Sequence, residues 1–522
     1  MRTARLLSLG GAALFLGLAL IGCFALSVEY DEAYNATVAK AVAAGEGYVT
    51  SYHRVVPYNP EITTGPTVLL PMAALIAGFG PTIWAPGLAT WLVSAIALLL
   101  LAAGLPRALV AAGAPPLLAG VALWPFLGLI WLFGAMGFLS IGMGEAPAML
   151  LLLLAVLPLG TALETGRLRD AALGGLCLGL GILTKLLVLL PALGLIGILA
   201  LAALQRHGRR RAVLIAGTAL AFSVLPTVLF LLLRLGHVDP AQEARFMNGA
   251  GAGFGGLGKG GSKFRAVVAE RLAVNAGILW HWLGGAAGLG LAAAGLLGGL
   301  LVVRRHRAPP GAALRLLVLA GLPAGALVLL LWWLPLGNAR LLRHGLPAIW
   351  IALFAVALLP ALAPGRWRLL AALPLAGLAA WLGWTREARL AELPPGYHSR
   401  TFLAAETVGA SARLALRPVP RQAEQREALA ALQRFQAANP TVPLAGAAWW
   451  VPRELEYLLP RGGQFHDMLQ TPPGPGGAAL VISEAYWNWG GDPAFDRLRQ
   501  SCPETVFRNR SYAIQLCRAR PG

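Results

Sequence analysis

Charge is scarce in this sequence: only 12% of its 522 residues are Asp, Glu, Lys or Arg. A soluble domain carries about a quarter. Acids are scarcest, 23 against 42 basic groups, for a formal net charge of +19. With only four cysteines the chain is not built on a disulfide framework. Apolar residues make up 57% of it, which excludes disorder and an ordinary cytosolic fold. What the sequence has instead is long apolar runs, the mark of a polytopic membrane protein. The +19 would suit nucleic acid only if it were gathered on one surface, so its distribution decides its meaning.

Residues 385–522 hold 16 Arg and 12 acids in a stretch of ordinary soluble composition. Residues 1–384 hold the other 26 basic and 11 acidic groups among apolar runs. This predicts a membrane domain, 1–384, and a soluble domain, 385–522, long enough to bury its own core. In the second domain, helix signals over 422–438, 452–459 and 496–500 alternate with strand signals over 443–450, 478–484 and 505–516. That reads as a small α/β sandwich. Its Cys502 and Cys517 are expected to pair in an oxidising compartment. Cys23 and Cys177 read as packing residues within spans.

The candidate spans are 6–27, 83–105, 109–138, 146–163, 171–184, 186–204, 212–234, 275–301, 314–334, 346–363 and 367–384. The segment 65–82 is apolar but short, with Pro66, Pro71 and Pro81. The positive-inside rule settles it. If 65–82 lies on the outer surface, the inner loops collect 15 basic groups against two acids, Glu164 and Asp170. The outer side of the membrane domain receives 11 basic and nine acidic groups. Making 65–82 a span would put Arg209–Arg211 and Arg304–Arg307 outside. The expected fold class is therefore a polytopic α-helical membrane protein of about 11 spans, N-terminus in, with a C-terminal extracytoplasmic α/β domain. Its location would be the plasma membrane, the bacterial inner membrane. Arg2, Arg5, an apolar run and Leu20-Ile21-Gly22-Cys23 have the form of a lipoprotein signal. Such short patterns arise easily in apolar helices, and the segment reads as a retained first span.

Ionisable groups beside the apolar phase are costly and mark candidate sites. The outer region 28–82 opens with Glu29-Tyr30-Asp31-Glu32, directly after the first span. Residues 33–44 have helical composition and end at Gly45 and Gly47. Asp31 would lie at the start of this juxtamembrane helix, where the dipole favours a carboxylate; for one such Asp a simple N-cap is the better reading, and it is three acids within four residues, leaving a span, that bring a site level with it. Glu145 is the only acid between Glu61 and Glu164, in the otherwise apolar and glycine turn before Pro147. Lys185 closes Leu183-Thr184-Lys185 between apolar runs, and Arg340, Arg343 and His344 follow the ninth span. Snorkelling to headgroups accounts for most boundary cations. Either way these groups face phosphate, whether of lipid or of a lipid-linked substrate. The outer loop 235–274 contains Gly251-x-Gly253-x-x-Gly256 and Gly258-Lys259. Neither follows a strand, so neither reads as a nucleotide site; the composition is that of a flexible loop.

Taken together these residues resemble the GT-C superfamily of polytopic glycosyltransferases, in the family-39-like branch that includes protein O-mannosyltransferases and lipid A aminoarabinose transferases. The similar elements are Tyr30-Asp31-Glu32-Ala33, the stretch Asn59 to Pro66 with its apolar non-spanning sequel, Gly144-Glu145-Ala146-Pro147, Leu183-Thr184-Lys185, and Arg340 to Pro347. They cover roughly residues 1–365. The resemblance implies a polyprenyl-phosphate sugar donor and an acceptor lipid, glycan or protein on the outer face. It implies Asp31, with Glu32 beside it, as general base or acceptor-orienting carboxylate, and Glu145 as a carboxylate that positions the acceptor or a metal. Lys185, Arg340 and Arg343 would hold the donor phosphate. Glu61, with His53 and His344, would contact substrate or a divalent metal; no other cofactor is implied. Two departures stand out: Glu145 occupies a place where many relatives have Asp, and Trp332-Trp333 is followed by Leu334, without the Trp-Trp-Asp of oligosaccharyltransferases. The alternative reading is a transporter or flippase of a polyprenyl-linked substrate. Transporters, however, place ionisable groups near the bilayer midplane, whereas here the acids gather at one face.

Overall fold

In the computed structural model, the described residues are 1–50, 56–57, 64–235, 261–305, 311–337, 342–391, 418–446, 452–460, 465–468, 477–484 and 493–517. Among them, nine helices are long and apolar enough to cross a membrane. The longest, α9 (Leu189–Leu235), is interrupted by Gly208 at φ 74°, a left-handed conformation that only glycine adopts without strain. It therefore makes two passes, with Arg206 and Arg209–Arg211 at the break. Adding the apolar α8 (Leu168–Thr184), slightly shorter at 17 residues, gives eleven passes among the described residues.

The bundle begins with α1 (Arg2–Ala25), followed by the juxtamembrane helix α2 (Tyr30–Ala43), the short antiparallel strands β1 (Val49–Thr50) and β2 (Val56–Pro57), and the juxtamembrane helix α3 (Pro66–Phe79). Helix α3 has 14 residues and does not span, as the charge asymmetry requires. Next come α4 (Ala85–Ala111), the paired short helices α5 (Pro116–Val121) and α6 (Leu123–Phe133), and α7 (Glu145–Thr165). After α8 and α9 follow α10 (Gly261–Trp282), α11 (Ala286–Arg305), α12 (Ala312–Leu336), α13 (Leu342–Leu362) and α14 (Trp367–Trp384). Helices α7 and α13 form the centre, with 78% and 94% of their apolar windows buried, while α14 at 11% lines the rim.

One expected span is corrected. The segment 275–301 is not continuous: α10 stops at Trp282, Gly284 and Gly285 both take positive φ, and α11 starts at Ala286. Hydropathy averaged across the turn hid it. Helix α10 instead packs on α12, where Asn275 donates to the carbonyls of Trp333 and Leu334 and Arg271 to that of Leu336.

The arginine-rich loops share one end of the bundle. Arg315 donates to the Leu362 and Ala112 carbonyls, Arg368 to those of Ala363 and Gly113, and Arg211 to that of Gly166. These bonds satisfy helix-terminal carbonyls that have no partner within their own helix.

At the other end sits a five-stranded sheet, in the order β4 (Phe465–Asp467), β3 (Leu444–Gly446), β5 (Ala478–Ser483), β7 (Tyr512–Cys517), β6 (Glu504–Arg508). β3 is parallel to β4 and β5, and the other pairs are antiparallel. Fully buried β5 is apolar up to its last residue, Ser483, as suits a central strand. Preceding β3 is the helix Pro420–Ala438 (α16, after the short α15, Arg386–Ala391), which covers one face through Ala428, Leu432 and Phe435. The helix Arg453–Leu458 (α17) lies between β3 and β4. A disulfide joins Cys502, beyond the helix Pro493–Gln500 (α18), to Cys517.

Candidate functional site

The site grows from the point where α1 leaves the apolar phase. Helix α2 is capped by Glu29, not by Asp31: Glu29 takes extended backbone angles and forms a capping box with Glu32. Asp31 falls in the first turn and is half-buried. The carboxylate of Glu32 points inward, accepting from the Glu29 backbone N–H at 3.2 Å and the Gly142 N–H at 2.6 Å. Burial pushes its carboxyl up to about 8, although both N–H groups oppose the rise. One turn along, Asn35 donates to Thr64 at 3.1 Å and to the Gly142 carbonyl at 3.0 Å, and accepts from the Thr64 N–H. Glu32 and Asn35 thus tie α2 to the turn that precedes α7.

That turn leads directly to Glu145, the first residue of α7. Across from it, α8 ends at Thr184 and the chain turns extended at Lys185 before a short 3₁₀ turn. The turn aims the Lys185 ammonium at Glu145 Oε1, 3.2 Å away. Both side chains are nearly inaccessible, 8% and 1% exposed. The N-terminal segment of α3 closes over them: the Gly65 N–H donates to the Thr184 carbonyl at 2.8 Å, and Thr184 donates to Thr67 at 2.7 Å. A Cβ on Gly65 would lie 1.6 Å from the Leu183 carbonyl oxygen, so only glycine permits this approach. Burying two charges is expensive, and such a pair stabilises little compared with apolar residues of equal volume. The sequence accepts this cost beneath the carboxylate-bearing helix, and again where Arg421 meets Glu29 and Glu454.

The sheet unit docks on the same place. Val419 N–H donates to Ala25 O, Gln422 to the Phe24 and Leu26 carbonyls, and Gln425 both donates to and accepts from the Val28 backbone. These contacts satisfy the end of α1. Arg421 lies 3.7 Å from Glu29 and 3.4 Å from Glu454, whose carboxylate also accepts from Tyr512 at 2.9 Å. Burial raises Glu454 above the usual carboxylate range and Tyr512 above its ordinary value. Lys40, at the end of α2, donates to the Glu456, Tyr457 and Leu459 carbonyls at the end of α17. Burial brings its ammonium down to about 8 despite Glu456 and Glu46 nearby.

Of the residues expected from sequence, Asp31, Glu32, Glu145 and Lys185 are brought to this end of the bundle. His344 is half-buried in the first turn of α13, and Arg343 precedes it there. Arg340, Glu61 and His53 lie outside the described residues. So does 236–260 of the glycine-rich loop; residues 261–274 belong to α10. Among the described residues, no group of three or more His, Cys, Asp or Glu could hold a metal. Sequence reasoning missed Glu29 as the cap, Arg421, Gln425 and Lys40. A capping-box pattern, Glu29 three residues before Glu32, was available to find the first. Asn35 also matches a glycosylation sequon, but at 2% exposure it is a strut inside the protein.

No protein-family model and no curated protein sequence matches the chain. Solved structures do. ArnT from Cupriavidus metallidurans bound to undecaprenyl phosphate aligns at a TM-score of 0.58 and 15% identity, covering 97% of this chain and 98% of that one. Its apo state aligns at 0.57 with the same identity and coverage. The Archaeoglobus fulgidus oligosaccharyltransferase in the apo form aligns at 0.47 and 10% identity, over 94% of this chain and 72% of that one. Matched to ArnT from end to end, the chain has the fold of the GT-C glycosyltransferases.

Proposed function

We propose that this protein is an integral membrane glycosyltransferase of the plasma membrane, moving a sugar from a polyprenyl-phosphate donor to an acceptor on the outer face. The observation that carries the reading is the buried Glu145–Lys185 pair, set under the helix that presents Asp31. The end-to-end likeness to a structure holding undecaprenyl phosphate supports it. Asp31 takes the proton from the acceptor hydroxyl. The acceptor oxygen attacks the anomeric carbon, the bond from that carbon to the phosphate oxygen breaks, and polyprenyl phosphate leaves with the electron pair. Lys185, with Arg343 and Arg340, stabilises the charge on the leaving phosphate. The ion pair with Glu145 holds the Lys185 ammonium in place. The prenyl chain stays in the bilayer, so no nucleotide site is needed. The domain 385–522 lies outside the membrane, where the Cys502–Cys517 disulfide is stable. Glu61, His53 and His344 are the candidates for further substrate or divalent-metal contacts.

The test is mass spectrometry of lipid that co-purifies with the protein. A polyprenyl phosphate or its glycosylated form is expected. Addition of a polyprenyl-phosphate sugar that neither binds nor is turned over, across a panel of pentose and hexose donors, would count against the assignment.

A further inference from the structure

The opposite end of the bundle holds a second feature that the proposed transfer does not use. Where α1 begins and α4 ends, the two helices diverge around a groove of about 860 Å³. Arg2 and Arg5 line it from α1 and Arg107 from α4. The first two are three residues apart on one helix and so share a face. The floor between them and α7 is small: Ala103 and Gly104, with a Cβ on Gly104 reaching 2.9 Å from Leu157. Among the described residues, no acid lines the groove. Glu164, at the same end, is engaged elsewhere, accepting from the Ala313 N–H.

The wall continues along α4 as an exposed apolar face, with Ile96 62% and Leu100 54% accessible. Three guanidiniums above an open apolar track match a phosphate head above an acyl chain. A free phosphate would use the arginines but not the track. A basic pocket between membrane helices is a recognised way to hold an anionic lipid head group. We propose that this groove is a binding site for one anionic glycerophospholipid, with its phosphate among Arg2, Arg5 and Arg107 and an acyl chain along Leu100 and Ile96.

The experiment uses the full-length protein in detergent, titrated with phosphatidylglycerol and separately with phosphatidylcholine of the same acyl chains. Bound lipid is counted by native mass spectrometry. One phosphatidylglycerol is expected to be retained in preference to phosphatidylcholine. Replacing Arg2, Arg5 and Arg107 by Ala should remove that preference, by about fivefold per arginine. Arg209→Ala with Arg210→Ala, at exposed positions outside the groove, should leave it intact. Ala103→Phe fills the groove without altering charge and should lower retention of both lipids, so the proposal remains testable if the triple variant does not fold. Equal retention of the two lipids by the parent protein overturns the proposal. So does unchanged phosphatidylglycerol binding in the triple variant or in Ala103→Phe. Displacement by millimolar inorganic phosphate would make the ligand a free anion, and a lipid-free dimer would make the groove a contact between copies; either result also overturns it.

Discussion

The two ends of the helical bundle handle charge in opposite ways. At one end Arg209, Arg210, Arg304, Arg305 and Arg366 are exposed, and several of their neighbours cap helix-terminal carbonyls. Such groups are interchangeable, since their sum sets orientation. At the other end several charges are buried or half-buried, each with a particular partner: Lys185 with Glu145, Arg421 with Glu29 and Glu454, Lys40 with three carbonyls. Net charge therefore says little about where this protein works. What distinguishes the end that holds the candidate site is charge held out of water, which persists only where geometry or chemistry requires it.

Substitutions can break this contrast. The largest effect is expected for Asp31→Asn, which should lower sugar transfer by about 10²–10⁴-fold while leaving the folded protein intact. Transfer at the parental rate by monodisperse protein would remove Asp31 from the chemistry. Next is Lys185→Ala, which strands a buried carboxylate and should cost about 3–5 kcal/mol of stability, read from thermal or denaturant unfolding. The pair Lys185→Met with Glu145→Gln should recover most of that stability but not transfer, separating the structural part of the ion pair from its proposed role at the phosphate. If transfer returns with stability, the pair is only structural.

A smaller effect concerns Glu32. Its folded carboxyl titrates at about 8, above the ordinary 4.5. The folded state therefore binds the proton more tightly than the unfolded state. The stability this contributes is complete below about pH 4.5, declines as pH rises to about 8, and is gone above it. Melting temperature followed across that window should show the decline, and Glu32→Gln should flatten it; an identical slope in the variant would assign the decline to other groups. The smallest effect is at the basic end, where Arg209→Ala and Arg210→Ala should each change stability by no more than about 0.5 kcal/mol.

Most of the membrane architecture was legible in the sequence because hydropathy and charge asymmetry are bulk properties. They marked α3 as too short to span and separated the helical bundle from the sheet-forming tail. The 275–301 span failed because one apolar average ran through Gly284 and Gly285, whose positive φ angles break the helix. At the site, Asp31, Glu145 and Lys185 stood out as isolated charges beside apolar runs. Their relations did not. No periodicity links Glu145 to Lys185, and the 3.2 Å contact exists only because Lys185 leaves α8 in an extended conformation. Glu32 shared a motif with Asp31, yet a rotation of one residue along α2 turns its carboxylate inward to Gly142. Arg421 and Gln425 were invisible for a plainer reason, since their partners lie near the other end of the chain.

That separation has a consequence for how the protein is made. The backbone of Val28 is completed by Gln425, 397 residues later. At a synthesis rate of about 5–20 residues per second, the start of α2 waits about 20–80 seconds for the group that closes it. A chain released early can insert every helix and still present an unfinished α1–α2 junction. Completion of the Asp31 helix is thereby tied to completion of the polypeptide, so that a truncated product would occupy the membrane without an assembled carboxylate site.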